Sequence, residues 1–282
     1  MTNKPVEIRR TAKLFIGGKF PRSESARSFE VLDRKGNFLA NASLASRKDA
    51  RDAVVAARSA FAGWSGATAF NRGQVLYRVA EIMQGRRSQF IDELAAWIDR
   101  AAAEREVDAA IDRWVWFAGW ADKLAMVTGS NNPVAGPFFN FSVPEPTGVI
   151  AGFAPANNAL IDLVELVASA IVSGNTVVVV ASLQNPLPAV SLGEVLATSD
   201  VPGGVVNILT GDATEIAPWL ASHMDVNAID LSGISDAKLA FDLEVSAAEN
   251  LKRILRAGAS VQGLARIKTW LETKTVWHPR GF

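Results

Sequence analysis

The sequence contains no cysteine. That absence removes thiolate nucleophiles, zinc–thiolate sites, iron–sulfur clusters and every disulfide. Histidine is almost missing as well. His223 and His278 are the only two in 282 residues, which leaves no multi-histidine metal site to expect. There is no excess charge of either sign: 29 Lys and Arg balance 29 Asp and Glu. A chain with no net charge builds no field for a polyanion, so nucleic acid is not an expected partner. No apolar run reaches the ~20 residues of a membrane span, because Asp162 and Glu165 interrupt the best candidate. Met1 to Phe15 carries Lys4, Arg9, Arg10 and Lys13 without the apolar core of a secretory signal. The expectation is a cytoplasmic protein with no membrane partner. Neither G-x-G-x-x-G nor G-x-x-x-x-G-K-[ST] occurs, so the usual phosphate-cradling loops are absent too.

What is present is a globular balance, 49% apolar and 21% charged, in a chain long enough for one large or two modest domains. Lys13 to Phe20 reads as a hairpin, with Gly17-Gly18 supplying the positive φ of a two-residue turn. Ser28 to Asp33 alternates as a strand, and Lys35-Gly36-Asn37 turns the chain. Ser46 is placed as an N-cap for a helix over Arg47 to Trp64, whose Val54, Ala57, Phe61 and Trp64 share one face. Helices follow over Asn71 to Gln84, Ser88 to Arg100 and Ala101 to Val127. From Gly148 the period changes. Strands at Gly148 to Pro155, Thr176 to Val180, Val205 to Leu209 and Val226 to Leu231 alternate with helices at Ala159 to Ser173, Pro186 to Ala197 and Glu215 to His223. That alternation implies right-handed crossovers and a doubly wound α/β sheet of Rossmann-like type. Thr273 to His278 then alternates as an isolated strand before Pro279.

Catalytic constellations are hard to assemble from these residues. Trp114, Trp116, Phe117 and Trp120 lie at helical spacing and read as core rather than a ligand platform. Neither histidine sits in a nucleophile-elbow context, and the carboxylates Asp92, Glu93, Glu104, Glu106 and Asp108 read as solvated helix faces. Gly203-Gly204 precedes a strand, where a plain turn explains it.

A set of segments nonetheless resembles one family. GVIAGFAPANNAL, SGNTVVVVASLQNPL, VPGGVVNILTG, MDVNAIDLSG and ENLKR follow one another as in the coenzyme-binding domain of aldehyde dehydrogenases. FIGGKF, FAGWADKL and FFNFSVPEPTGVI resemble that family's N-terminal part and protruding strand, and LETKTVWHP its last strand. TSDVPGGVVNILTG and KTVWHP are most similar to the shortened, cysteine-less second copy of tandem aldehyde dehydrogenases. The resemblance implies a degenerate coenzyme-binding-like domain over 1–137 and 148–260, with oligomerisation strands at 138–147 and 270–282. It also implies that the catalytic domain is missing between Ser260 and the terminal strand.

The departures carry as much meaning as the matches. The resemblance places the family's oxyanion Asn on Asn157 and vestigial cofactor positions on Pro155, Ser182, Gly211 and Gly233. Val180 and Leu183 stand where the family has the Lys and Glu that hold the adenine ribose, and Ile234 where it has a Ser beside the pyrophosphate. The family's general-base Glu finds no carboxylate in Ile254-Leu255-Arg256-Ala257-Gly258. Aldehyde oxidation in that family needs a thiolate, a hydride acceptor and base-assisted deacylation. The expectation is therefore a pseudoenzyme with no cofactor, NAD binding being weak at best, and no metal. It would oligomerise with a full-length aldehyde dehydrogenase or with itself, through Phe139, Phe141, Thr275, Val276 and Trp277, its last strand adding to a neighbour's sheet; the alternative for that strand is that Thr273 to His278 folds back on its own sheet. The alternative is a free-standing, weak dinucleotide-binding or sensor module.

Overall fold

A computed structural model describes residues 10–155, 157 and 159–281; Met1 to Arg9, and with them part of the signal-peptide reading, lie outside the described residues. The chain opens with β1 (Thr11–Ala12), β2 (Ser28–Leu32) and β3 (Phe38–Ser43), which form a small sheet in the order β1-β3-β2. Between β1 and β2 the expected turn forms: Gly17 and Gly18 take φ of 60° and 76°, and Ile16 bridges Lys19. Ser46 caps α1 (Arg47–Gly66) in a full capping box with Asp49. Helices α2 (Ala69–Gly85), α3 (Arg87–Ala95), α4 (Arg100–Ala118) and α5 (Leu124–Thr128) follow. The single helix expected over Ala101 to Val127 is thus two, separated by turns at 119–123. Trp114 and Phe117 are fully buried, as a core reading of that helix requires.

The second half is the doubly wound sheet. It comprises β6 (Val149–Phe153), α6 (Ile161–Ile171), β7 (Thr176–Val180), α7 (Leu187–Ala197), β8 (Val206–Leu209), α8 (Ala213–Ser222), β9 (Ala228–Asp230), α9 (Ala237–Ala248) and β10 (Arg253–Leu255). All pairings are parallel, in the order β10-β9-β6-β7-β8. The period-2 side-chain alternation sends Ile150, Val177 and Val179 into a core with α2, α3, α4, α6 and α7. Val149, Ala151, Val178 and Val180 go to the other face, against α1, α8 and α9. Every residue of β6 and β7 is buried, which is why those strands read as unbroken apolar runs.

A third sheet, β11-β5-β4, stands apart; it joins β4 (Ser130–Asn132), β5 (Phe138–Pro146) and β11 (Leu271–Pro279), which follows α10 (Gly263–Thr269). Here the sequence reading is corrected. β11 does not leave its own chain: it pairs antiparallel with β5 along its whole length, from Leu271↔Pro146 to Pro279↔Phe138. The physical reason is proximity. Trp270, fully buried, anchors the start of β11 beside β5 through its carbonyl, which accepts from Thr147 N and Asn175 Nδ2. Among the described residues no helix is long and apolar enough to cross a membrane.

Candidate site at the carboxyl edge of the sheet

From β6 the chain winds outward to β7 and β8, then returns to place β9 on the other side of β6. The strand order therefore reverses between β6 and β9. Loops leaving two such strands diverge in opposite directions and open a crevice at their carboxyl ends. A cavity of about 260 Å³ lies there, walled by Phe153 at the end of β6, Pro155 after it, Ser232 after β9, Glu165 of α6, Ser260 and Arg266. Gly233 makes the close approach possible: a Cβ on it would stand 2.0 Å from Phe153 O.

The sequence reading assigns no role to the charged groups in and behind this wall. Asp230, at the end of β9, is fully buried; its Oδ1 accepts from Ser232 N (2.9 Å) and Ser232 Oγ (2.6 Å), and its Oδ2 from Arg266 Nη2. Arg266 is itself 5% exposed, and its Nε has no partner among the described residues. The pair pins α10 against the mouth of the crevice. Glu165 Oε2 meets Arg113 Nε at 3.2 Å while its Oε1 has no hydrogen-bond partner among the described residues. Burial pushes the Glu165 carboxyl above its ordinary range, and the nearby Arg113 and Arg266 only partly oppose this. Its visible signal in the sequence is that it and Asp162 interrupt the otherwise apolar run of α6.

Such a site can hold a ligand and move a proton, but it has nothing to attack with. No cysteine exists. His223 Nδ1 accepts from Asp225 N in a local turn, and His278 is exposed on β11, so neither is engaged with a serine. Among the described residues no three metal-ligating side chains cluster.

The residues singled out from the sequence are spread over several places. Pro155 lines the crevice, whereas Asn157, exposed in the next bend, lines a separate cavity with Gln184 and Asn185. Ser182 is buried, its Oγ accepting from Asn185 N. Gly211, at φ 139°, packs on Leu44 and Ala45. Val180 is in the core and Leu183 is exposed at the surface. Ile234 is buried in the core, its N–H donating to Leu231 O, so its bulk is turned away from the crevice. The strand register divides the five proposed interface residues: Val276 faces Phe141, and Phe139 shares their side, while Thr275 and Trp277 project from the opposite face.

Comparison with known proteins gives this geometry a family context. Residues 20–258 match the model of the aldehyde dehydrogenase family. The chain is 32% identical over 259 residues to aldehyde dehydrogenase family 2 member B4, mitochondrial, of Arabidopsis thaliana, covering 89% of this chain and 47% of that one. It is 34% identical over 239 residues to cytosolic 10-formyltetrahydrofolate dehydrogenase of Pongo abelii, covering 81% and 26%. The chain thus spans half or less of the length of these relatives. Among solved structures, the NAD-dependent aldehyde dehydrogenase from Sinorhizobium meliloti superposes with TM-score 0.83 at 26% identity, covering 90% of this chain and 51% of that one. An NAD+ complex of aldehyde dehydrogenase from Bacillus cereus superposes at 0.81 and 24%, covering 87% and 50%.

One expectation is overturned here. A chain with no cofactor was expected because Val180, Leu183 and Ile234 replace the ligands that the resemblance implies. The fold around the crevice is the one presented in a solved NAD+ complex. The replaced side chains do not block it either, since Val180 and Ile234 are packed in the core. Losing two side-chain partners is not the same as losing the site.

Proposed function

Because the chain belongs to the aldehyde dehydrogenase family, we propose that it is a non-catalytic member that keeps a dinucleotide crevice and associates with an active, complete aldehyde dehydrogenase or with a copy of itself. The observation that carries this reading is the combination of a complete doubly wound sheet with a total lack of cysteine. Similarity of TSDVPGGVVNILTG and KTVWHP to the shortened copies of tandem enzymes supports a place beside a complete copy.

The residues fit a dinucleotide in its general position. Pro155, Ser232 and the backbone at Gly233 would hold its nicotinamide end, with the exposed rim residue Ser260 across the crevice. When bound, the dinucleotide supplies a hydride acceptor. The protein's own part is to orient it and limit its contact with water. Saturable binding of NAD+ is the expected result in a calorimetric titration. Ser260→Trp, a bulky change at an exposed position, fills the 260 Å³ crevice and should weaken that binding at least tenfold. Unchanged affinity in this variant would move the dinucleotide elsewhere.

Association is supported by the face of the third sheet that carries Phe139 and Phe141, 51% and 38% exposed, beside Val276. The outer edge of β11 is unpaired among the described residues, and an unpaired edge is a template for another strand. Burying each Phe on association contributes roughly 1.5–3 kcal/mol. In solution the chain, alone or mixed with a complete family member, is expected above its 30.1 kDa monomer mass. Phe139→Ser with Phe141→Ser should return it to monomer in a light-scattering measurement. A wild-type monomer under both conditions would end this part of the reading.

A further inference from the structure

A second cavity has a volume of about 430 Å³. It sits at the carboxyl ends of β6 and β7, under the end of α3 and the first turns of α4, and Trp97, Arg105, Glu106, Asn157, Gln184 and Asn185 line it. Three of these groups have hydrogen-bonding capacity that the described residues leave unused. Asn185 is 5% exposed, yet its Oδ1 has no partner. Trp97 Nε1, a donor only, is buried without an acceptor. Arg105 makes no ion pair or hydrogen bond among the described residues.

The acidic neighbours are already committed. Glu106 Oε1 accepts from Leu160 N (2.9 Å) and Ile161 N (3.2 Å), so this carboxylate serves the first turn of α6. Glu104 is 3.7 Å from Arg100 rather than paired with Arg105. A free guanidinium is a forked set of donors suited to a carboxylate or phosphate. A buried indole N–H adds another donor, and a buried amide oxygen calls for a hydroxyl.

From these three groups we infer that this cavity is a binding site for a small oxyanion that also carries a hydroxyl group. The anionic end meets Arg105 and the Trp97 indole, and the hydroxyl donates to Asn185 Oδ1. Hydroxycarboxylates and polyol phosphates share that chemistry, and the volume admits either. Among the described residues this cavity and the dinucleotide crevice share no lining residue.

The test is a titration of the full chain, ¹⁵N-labelled, with D-glycerate, glycerol 3-phosphate and glycerol. The chain has eight tryptophans, and the missing signal in Trp97→Phe identifies the relevant indole N–H. Saturable movement of that signal by either anion, with glycerol inert, is the expected result; which anion binds tighter names the headgroup. Arg105→Gln, a change at an exposed position, should weaken binding at least tenfold while leaving the rest of the spectrum in place. The proposal is overturned if neither anion moves the signal by 10 mM, if glycerol matches them, or if Arg105→Gln binds as the wild type does.

Discussion

The purified chain is expected to oxidise no aldehyde with either nicotinamide cofactor. The reaction of this family, as the resemblance describes it, begins with a thiolate that adds to the carbonyl and holds the adduct while hydride leaves. Not one cysteine is available for that step. A serine in its place would need a base to take its proton, and the two histidines are occupied or remote. Glu165, whose pKa burial raises, is suited to moving a proton in the crevice, but it has no nucleophile to serve. Removing a coupled nucleophile and base from hydrolytic machinery costs on the order of 10⁶ in rate. A dinucleotide in the crevice would lack the covalent adduct that delivers hydride to it. Steady NADH production that survives repurification, in a variant series where no contaminant tracks it, would contradict this.

The second large effect concerns the buried pair at the crevice wall. Arg266→Met should destabilise the fold by about 3–5 kcal/mol, because it leaves the Asp230 carboxylate charged, buried and short of its partner. The serine contacts of Asp230 Oδ1 persist in that variant, so the loss is of the ion pair rather than of the whole network. Adding Asp230→Asn should recover most of the loss, since two neutral groups of similar size carry no uncompensated charge. Urea denaturation of the two variants reads the difference directly. A single variant within ~1 kcal/mol of wild type would show that water reaches Asp230 and that α10 is not pinned there.

How much of this was legible before the structure depends on where each signal lay. Thr176–Val180 was placed to the residue because a β-branched run bounded by Asn175 and Ala181 has one stable use, a strand buried on both faces. Ser46 is legible as a cap because it stands directly before the Ala-rich periodic run, and the structure adds Asp49 to complete a capping box. α9 was not assigned, and its residues explain why. Phe241 and Val245 face solvent while Leu243 is buried between Ala240 and Ala247, so apolar side chains lie on both faces and the amphipathic pattern is blurred. β10, at three residues, is too short to show a period.

The site was less legible than the fold. The resemblance named positions along strands, but whether a side chain enters a crevice or a core depends on the loop that carries it. Ile234 went into the core and Asn157 into another cavity, and neither outcome is written in local sequence. Asp230 and Arg266 are 36 residues apart and meet only because α10 folds back over the carboxyl edge. The destination of β11 was equally hidden. An alternating strand reads the same whether it pairs within its chain or beyond it, and only Trp270, buried beside β5, decides.

One calorimetric experiment tests the central claim, a family crevice kept and its chemistry lost. The chain is titrated with NAD+ to saturation, and an aldehyde is then injected into the same cell while absorbance at 340 nm is followed. The account predicts a saturable heat of binding, lost in Ser260→Trp, and then no sustained heat and no rise in absorbance after the aldehyde. Absence of any binding heat would contradict the retained crevice. A continuous heat with matching NADH formation would contradict the loss of catalysis.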